Sequence, residues 1–404
     1  MKKILLFISV FALMATSCGS NSKSLKSARV GESLPAWRQG YLDIYFINTG
    51  RGECCFYILP DGTTLLVDAG ELAEDKGSVA QRPDDKTLPH IAYAKYIRHF
   101  LPKGKSSIDY CAPSHLHTDH IGCVDMVVST AEAGYRKSGL TALYDYVPYN
   151  HILDYAYPSY TEDESTPAID GQLSGDWATF VTWGVANGKF TAERFTPGKE
   201  QMVLVKNPTK YANRFRLLKI CANGFVWGKG DDGRATLLGS KATSVGNICS
   251  CGFHITYGKF DYIACGDLVS TPQNLVTYYF RDFIGNGKLE AFKCHHHLAS
   301  NGWGSKMRSL NFDPQVALCH AFTYAKPDAE LLDEVLPRVG AFFSTNIHPT
   351  IAEANPVAVS QITGHSGHIV LRVLPGGEYF NVYVLDDRDF DYKVKSIHGP
   401  YASK

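Results

Sequence analysis

The run Ser114-His115-Leu116-His117-Thr118-Asp119-His120-Ile121-Gly122 puts three imidazoles and one carboxylate within six residues, directly after an apolar stretch. In an H-x-H-x-D-H spacing at a strand end, alternate side chains can face one divalent ion. The last two can then face a neighbour about 3.5–4 Å away, the separation used by two-metal hydrolases. Imidazole and carboxylate donors favour zinc and leave manganese and iron open, because several transition metals accept this donor set. A water shared by two such cations loses its proton near neutral pH and becomes a nucleophile. No Ser-His-Asp or phosphate-cradling glycine motif competes with this chemistry elsewhere in the chain.

Several elements must position that loop. Leu42 to Ile47, Cys54 to Leu59 and Thr64 to Val67 are β-rich runs separated by Gly50-Arg51-Gly52 and Pro60-Asp61-Gly62. In the second turn proline presets the backbone and glycine accepts a positive φ, so an antiparallel meander is expected. Residues 88 to 101 carry apolar side chains at Ile91, Ala94, Ile97 and Leu101 and stop at Pro102 and Gly104, a helix spacing with a stop signal. A strand from Ile108 to Ala112 then delivers the histidines. Residues 140 to 245 are rich in Tyr, Trp, Pro and Gly and read as an insertion over the active face, its aromatics building a satellite core. Strand patterns return at Phe253 to Tyr257, Tyr262 to Cys265 and Ala291 to Cys294. A helix over 328 to 336 and a hairpin from Ile369 to Leu385 close the chain. The expected class is α/β, two β-sheets packed together with helices outside.

At the amino end, Lys2 and Lys3, an apolar run from Ile4 to Met14 and Ala15-Thr16-Ser17-Cys18 have the layout of a lipoprotein signal. The run is too short to span a bilayer. Residues 1–17 are expected to be removed, leaving Cys18 as a lipid-bearing first residue and 18–40 as a tether. Gly19 after the cysteine favours an exported protein on the outer membrane. Loss of Lys2 and Lys3 leaves 38 basic and 40 acidic groups, a formal charge of −2, with no basic block to hold nucleic acid. The ten cysteines after Cys18 fall mostly in apolar runs and behave as small hydrophobes, although an exported chain could form disulfides.

Five blocks in order resemble a metallo-β-lactamase-fold hydrolase of the ComEC-like branch, over about residues 41 to 387. They are Asn48-Thr49-Gly50-Arg51-Gly52-Glu53, Leu65-Leu66-Val67-Asp68-Ala69-Gly70, His115 to His120, Tyr257-Gly258-Lys259-Phe260 leading to Cys265-Gly266-Asp267, and Phe292-Lys293-Cys294-His295-His296-His297. The resemblance implies an αβ/βα sandwich over 41–390. It assigns His115 and His117 to a first metal ion and Asp119 and His120 to a second, with Asp267 bridging the two. Asp68 is expected to hold the loop by hydrogen bonds. Asp119 is expected to orient the nucleophile. Aligning Lys293 with the family's lysine gives the last ligand to His296, with His297 second; neighbours on an extended segment point to opposite sides, so the two are not expected to serve one ion together.

Departures from the family pattern are specific. Leu298 stands where the family has glycine, which unsettles the register of the histidine run. Between the loop and Asp267 only His151 and His254 could add a ligand, and His254 sits inside a strand pattern, so His151 is the candidate. Lys326-Pro327 replaces a family His-Pro. The function implied is metal-dependent hydrolysis of a phosphodiester or phosphate ester, small or from the cell envelope. Hydrolysis of a β-lactam, lactone or amide is the enzymatic alternative, and a non-catalytic binding lipoprotein the other.

Overall fold

A computed structural model describes residues 28–74, 77–164, 172–244, 246–284 and 289–404. The signal segment 1–17, the lipidation residue Cys18 and the first part of the tether lie outside the described residues. Two nine-stranded mixed sheets form the body. The first runs Val394–Ala402, Tyr379–Leu385, His368–Val373, Leu42–Phe46, Cys55–Ile58, Thr64–Val67, Ile108–Cys111, Tyr149–Asp154 and Thr191–Arg194 from edge to edge. The second runs Ala235–Gly239, Phe225–Lys229, Phe215–Ala222, Gly252–Tyr257, Phe260–Ala264, Ala291–Lys293, Val316–Cys319, Ala341–Ser344 and Gly364–His365.

Period-two alternation explains the layering. In the second sheet Leu217, Phe253, Ile255, Tyr257, Tyr262, Val316, Leu318 and Phe343 face the first sheet and join its buried residues in one core. Their neighbours Leu218, Ile263, Phe292, Ala317 and Phe342 point outward and pack under Val276, Met307 and Leu332 of the outer helices. On the far side of the first sheet lies the helix Pro89–Phe100, which buries Tyr93, Tyr96, Ile97 and Phe100. The architecture is the expected αβ/βα sandwich. Among the described residues no helix is long and apolar enough to cross a membrane.

One expectation changes and another holds. Residues 140–245 are built into both sheets rather than lying apart from them. They supply Tyr149–Asp154 and Thr191–Arg194 to the first sheet and three strands to the second. Their aromatics do build a local core, with Tyr144 stacked edge-on against Tyr149 and Phe180. The ten cysteines after Cys18 are all free and buried, filling core positions as apolar side chains, so no disulfide links the described residues.

Each sheet pairs antiparallel on one side and parallel on the other. Thr64–Val67 and Ile108–Cys111 are parallel, as are Phe260–Ala264, Ala291–Lys293 and Val316–Cys319. The carboxyl ends of these strands open on one rim, where ligands are generally bound in α/β sheets.

Candidate metal centre

Asp68 follows the strand Thr64–Val67 with φ of 64°, a left-handed conformation that Asp tolerates better than most residues. The turn aims its buried carboxylate under the histidine loop. Oδ1 accepts from the Ser114 backbone N at 2.7 Å and Oδ2 from Ser114 Oγ at 2.7 Å. Oδ2 also lies 2.8 Å from His120 Nδ1, which places a proton on that nitrogen and leaves Nε2 as the free face. The backbone is equally constrained. Glu53 N donates to Asp119 O and Ala69 N to His120 O, both at 2.8 Å. Gly70 must be glycine here, since a Cβ would sit 1.8 Å from the Asp119 carbonyl oxygen.

Asp267 enters from the second sheet after Gly266, whose φ of 51° and contact with Ser114 leave no room for a side chain. Its Oδ2 lies 3.2 Å from His120 Nε2 and 3.0 Å from His297 Nε2. Asp119 Oδ2 is 3.4 Å from the same His297 nitrogen. The rings of His115 and His117 stand 4.5 Å apart, and those of His115 and His120 4.1 Å. Loops of both sheets therefore converge on one point.

The preference for His296 over His297 reverses. His296, His297 and Leu298 all have positive φ, so the segment is a tight left-handed turn rather than an extended strand. His297 is buried, and its Nδ1 faces the His320 carbonyl at 3.1 Å, which can only accept, so Nε2 is presented to the cluster. His296 stands at the edge, 4.0 Å from Asp267 Oδ2, with its ring nitrogens on Asn247 and Asn301. His151 is not in the cluster. It sits on Tyr149–Asp154 with its nitrogens facing Thr191 and Glu193 on the neighbouring strand. His254 bonds Tyr279 and Asp261 within the second sheet.

Charge is strongly organised. Burial opposes ionisation of Asp119, but His120, His297 and Lys326 outweigh it and hold the carboxyl well below its ordinary range. Asp267 is likewise held low by His297 and His120 against burial. Burial disfavours the charge on His120, yet Asp267, Asp68 and Asp119 raise its pKa well above the usual value. His115 is pushed far down by burial and by the charge of His120. Beneath the cluster Lys293 is buried. Its Nζ lies 3.0 Å from Glu53 Oε2, 3.0 Å from the Gly266 carbonyl and 4.0 Å from Asp267 Oδ1. Burial works against that ammonium, but Glu53 and Asp267 keep it charged.

The residues fit a metal group. Ligand atoms of Glu53, His120, Asp267 and His297 lie within 4.8 Å of one another. His115 Nε2, His120 Nε2, His297 Nε2 and Asp267 Oδ1 are buried without a hydrogen-bond partner. Buried polar atoms are normally satisfied, so the unpartnered His115 Nε2, together with His120 and His297 Nε2 atoms that face only the carboxylate oxygens of Asp119 and Asp267, marks a site for a cation. Glu53 serves Lys293 and is the counter-ion below the cluster rather than a free donor. Sequence reasoning missed its role, and also His320, which stacks on Phe46 and caps His297 from behind.

No family model matches the chain, and no curated protein matches it. Several solved structures are similar to it, three of them as follows. CmlA, a diiron beta-hydroxylase from Streptomyces venezuelae, is 13% identical over 84% of this chain and 55% of its own, with a TM-score of 0.37. Zn2+-bound PqqB from Methylobacterium extorquens is 11% identical over 79% of this chain and 91% of its own, TM-score 0.34. The short form of human tRNase Z is 11% identical over 75% and 91%, TM-score 0.27. The chain spans about half the length of the hydroxylase. At such TM-scores these likenesses say nothing of activity. The metallo-β-lactamase-type sandwich is evident instead in the two mixed sheets, the outer helices and the rim where the loops meet.

Proposed function

We propose that this chain is a dinuclear metal-dependent hydrolase acting on a phosphodiester or phosphate ester. One observation carries the reading: the buried Nε2 atoms of His120 and His297 meet the Asp267 carboxylate at 3.2 and 3.0 Å, beside the unpartnered Nε2 of His115, at the carboxyl ends of parallel strands. His115 and His117 would hold one ion, Asp119, His120 and His297 the other, with Asp267 between them. Two divalent ions, zinc by donor type, would supply Lewis acidity for activating water and polarising the scissile group.

The remaining work belongs to the protein. Asp119 is 15% exposed, the only acidic member of the cluster that reaches the open side, and it is ionised. Its carboxylate orients the attacking water and accepts its hydrogen bond. Asp68 and the His320 carbonyl fix the tautomers of His120 and His297, so neither ring needs to reorient. Support for a phosphate ester comes from the ordered ComEC-like blocks. The formal charge of −2 in residues 18–404 and the absence of a basic run favour a small or envelope substrate over long nucleic acid. Cys18 would tether the domain to an outer membrane by its lipid, and radiolabelled palmitate that fails to enter a Cys18→Ala chain would verify this.

The test is metal content by mass spectrometry with hydrolysis of bis-p-nitrophenyl phosphate, nitrocefin and a lactone side by side. About two ions per chain and diester turnover that disappears in Asp119→Ala are expected. Turnover of nitrocefin or the lactone alone would move the substrate to amides or lactones. No tight metal and no turnover with added zinc or manganese would leave a binding protein.

A further inference from the structure

One cation at the rim contributes only its field to the chemistry above. Lys326 Nζ lies 3.9 Å from Asp119 Oδ2, beyond hydrogen-bond distance, and its side chain is only 20% exposed. Among the described residues its ammonium donates no hydrogen bond, whereas Lys293 spends its donors on Glu53 and two carbonyls. Three donors on a largely covered ammonium are therefore unspent beside the cluster.

Lys326 is held there by its backbone. It closes a tight turn with Thr323, its N donating to the Thr323 carbonyl at 3.3 Å. The turn is pinned on one flank by Val79 N to Phe322 O and Tyr324 N to Gly77 O, at 2.7 and 3.0 Å. On the other flank Asp328 N donates to Leu298 O at 2.7 Å, next to His297. A lysine serving only as counter-ion to Asp119 would close to hydrogen-bond distance on its flexible stem. This one stops short, leaving a gap between ammonium and carboxylate on the open side of the site.

Charge balance says what fills the gap. Asp68, Asp119, Asp267 and Glu53 are the carboxylates of the centre, and Lys293 and Lys326 its lysines. Two divalent ions would then leave an excess of positive charge with neutral histidines. Only an anion neutralises that excess, and a compact ammonium is a good partner for a phosphoryl oxygen.

We propose that Lys326 is the oxyanion-binding residue of this site, taking a non-bridging oxygen of a phosphate-type ligand, so that the preferred substrate is anionic. This rests on the hydrolase reading for its catalytic meaning, but the binding itself can be read without turnover. The test uses the metal-loaded full chain and its Lys326→Met and Lys326→Arg variants. Inorganic phosphate is titrated by calorimetry, and hydrolysis is compared on anionic bis-p-nitrophenyl phosphate and neutral diethyl p-nitrophenyl phosphate. In Lys326→Met, phosphate Kd should rise at least about tenfold, the loss of one charge-assisted hydrogen bond. KM for the diester should rise by a larger factor than KM for the neutral triester, with metal content as in the parent. Arginine should restore much of the phosphate affinity. Unchanged phosphate binding in Lys326→Met, or equal losses on both esters, overturns the assignment. If the parent holds no metal and turns over neither ester, the hydrolase reading falls. Phosphate titration of the metal-free chains then decides Lys326 alone, and binding that ignores Lys326→Met overturns it.

Discussion

Neutralising Glu53 tests whether a buried charge supports the metal centre from below. Its Oε2 lies 3.0 Å from Lys293 Nζ, and the two side chains are 0% and 3% exposed. At an effective dielectric of about 20, a pair at that separation attracts by roughly 5–6 kcal/mol before desolvation is subtracted. Glu53→Gln preserves shape but leaves Lys293 with two carbonyls and, 4.0 Å away, Asp267 Oδ1. Removing one partner of a buried pair costs about 3–5 kcal/mol, and Lys293→Met should cost a similar amount. The double variant removes both charges, so its loss should fall short of the sum by at least about 2 kcal/mol.

Urea unfolding of the four metal-free chains measures that coupling, and competitive chelator titration measures the second consequence. With Glu53 neutral, the Lys293 charge beneath Asp267 repels a divalent ion, so affinity should fall at least about tenfold in Glu53→Gln and recover in the double variant. Stability losses that add to within about 0.5 kcal/mol, or metal affinity untouched by Glu53→Gln, would refute the view of Glu53 as the counter-ion that lets a lysine sit under the site.

Three further outcomes are expected. Asp68→Asn should weaken metal affinity by about 10–100-fold, the usual effect of losing a group that orients ligands, because it no longer fixes the His120 tautomer; isothermal calorimetry with zinc reads this. His297→Ala should lose bound metal in mass spectrometry while His296→Ala keeps most of it, and the opposite order would return the ligand role to the edge histidine. His368 is fully buried, accepts from Asn48 N at 2.9 Å, and is pushed by burial down to about 3. The unfolded chain takes up a proton there below about pH 6.5 and the folded chain does not. Stability should thus be full above that pH and fall as pH drops toward 3. The part due to this group is about 2 kcal/mol by pH 5, read as the difference in unfolding free energy between the parent and His368→Gln at pH 7 and 5.

The amino-terminal meander, the helix before the histidine loop and the closing hairpin were legible because each carries a complete local signal. Pro60-Asp61-Gly62 breaks the chain between β-rich runs, and Ile91, Ala94 and Ile97 keep helical spacing up to Pro102. Residues 140–245 misled because strands buried on both faces lose alternation. Phe215–Ala222 is buried through its last six positions, while the edge strand Thr191–Arg194 has no fully buried position and looks like a loop. His115 to His120 were readable as a local motif. The choice between His296 and His297 was not, since it depends on three successive positive φ values that no residue type in His-His-Leu announces. Glu53 and Lys293 stand inside the motif blocks, yet their contact crosses from one sheet to the other and has no sequence signature.

That crossing bears on why the cluster is built as it is. Loops of the first sheet carry His115, His117, Asp119 and His120, and loops of the second carry Asp267 and His297. Neither set is a complete site, and the charged links across the rim among the described residues include the contacts of Asp267 and His297 with His120 and Asp119, of Glu53 with Lys293 and His297, and of Lys326 with Asp119. Each buried atom left unpartnered there costs about 1–3 kcal/mol, so without an ion the docked sheets carry a local penalty. A cation bound by both halves removes it. At a free concentration a hundredfold above its Kd, such an ion adds about 2.7 kcal/mol to the folded state. The hydrophobic core holds the sheets together over their length, and the ion would hold them at the rim, where the geometry has to be fixed for chemistry.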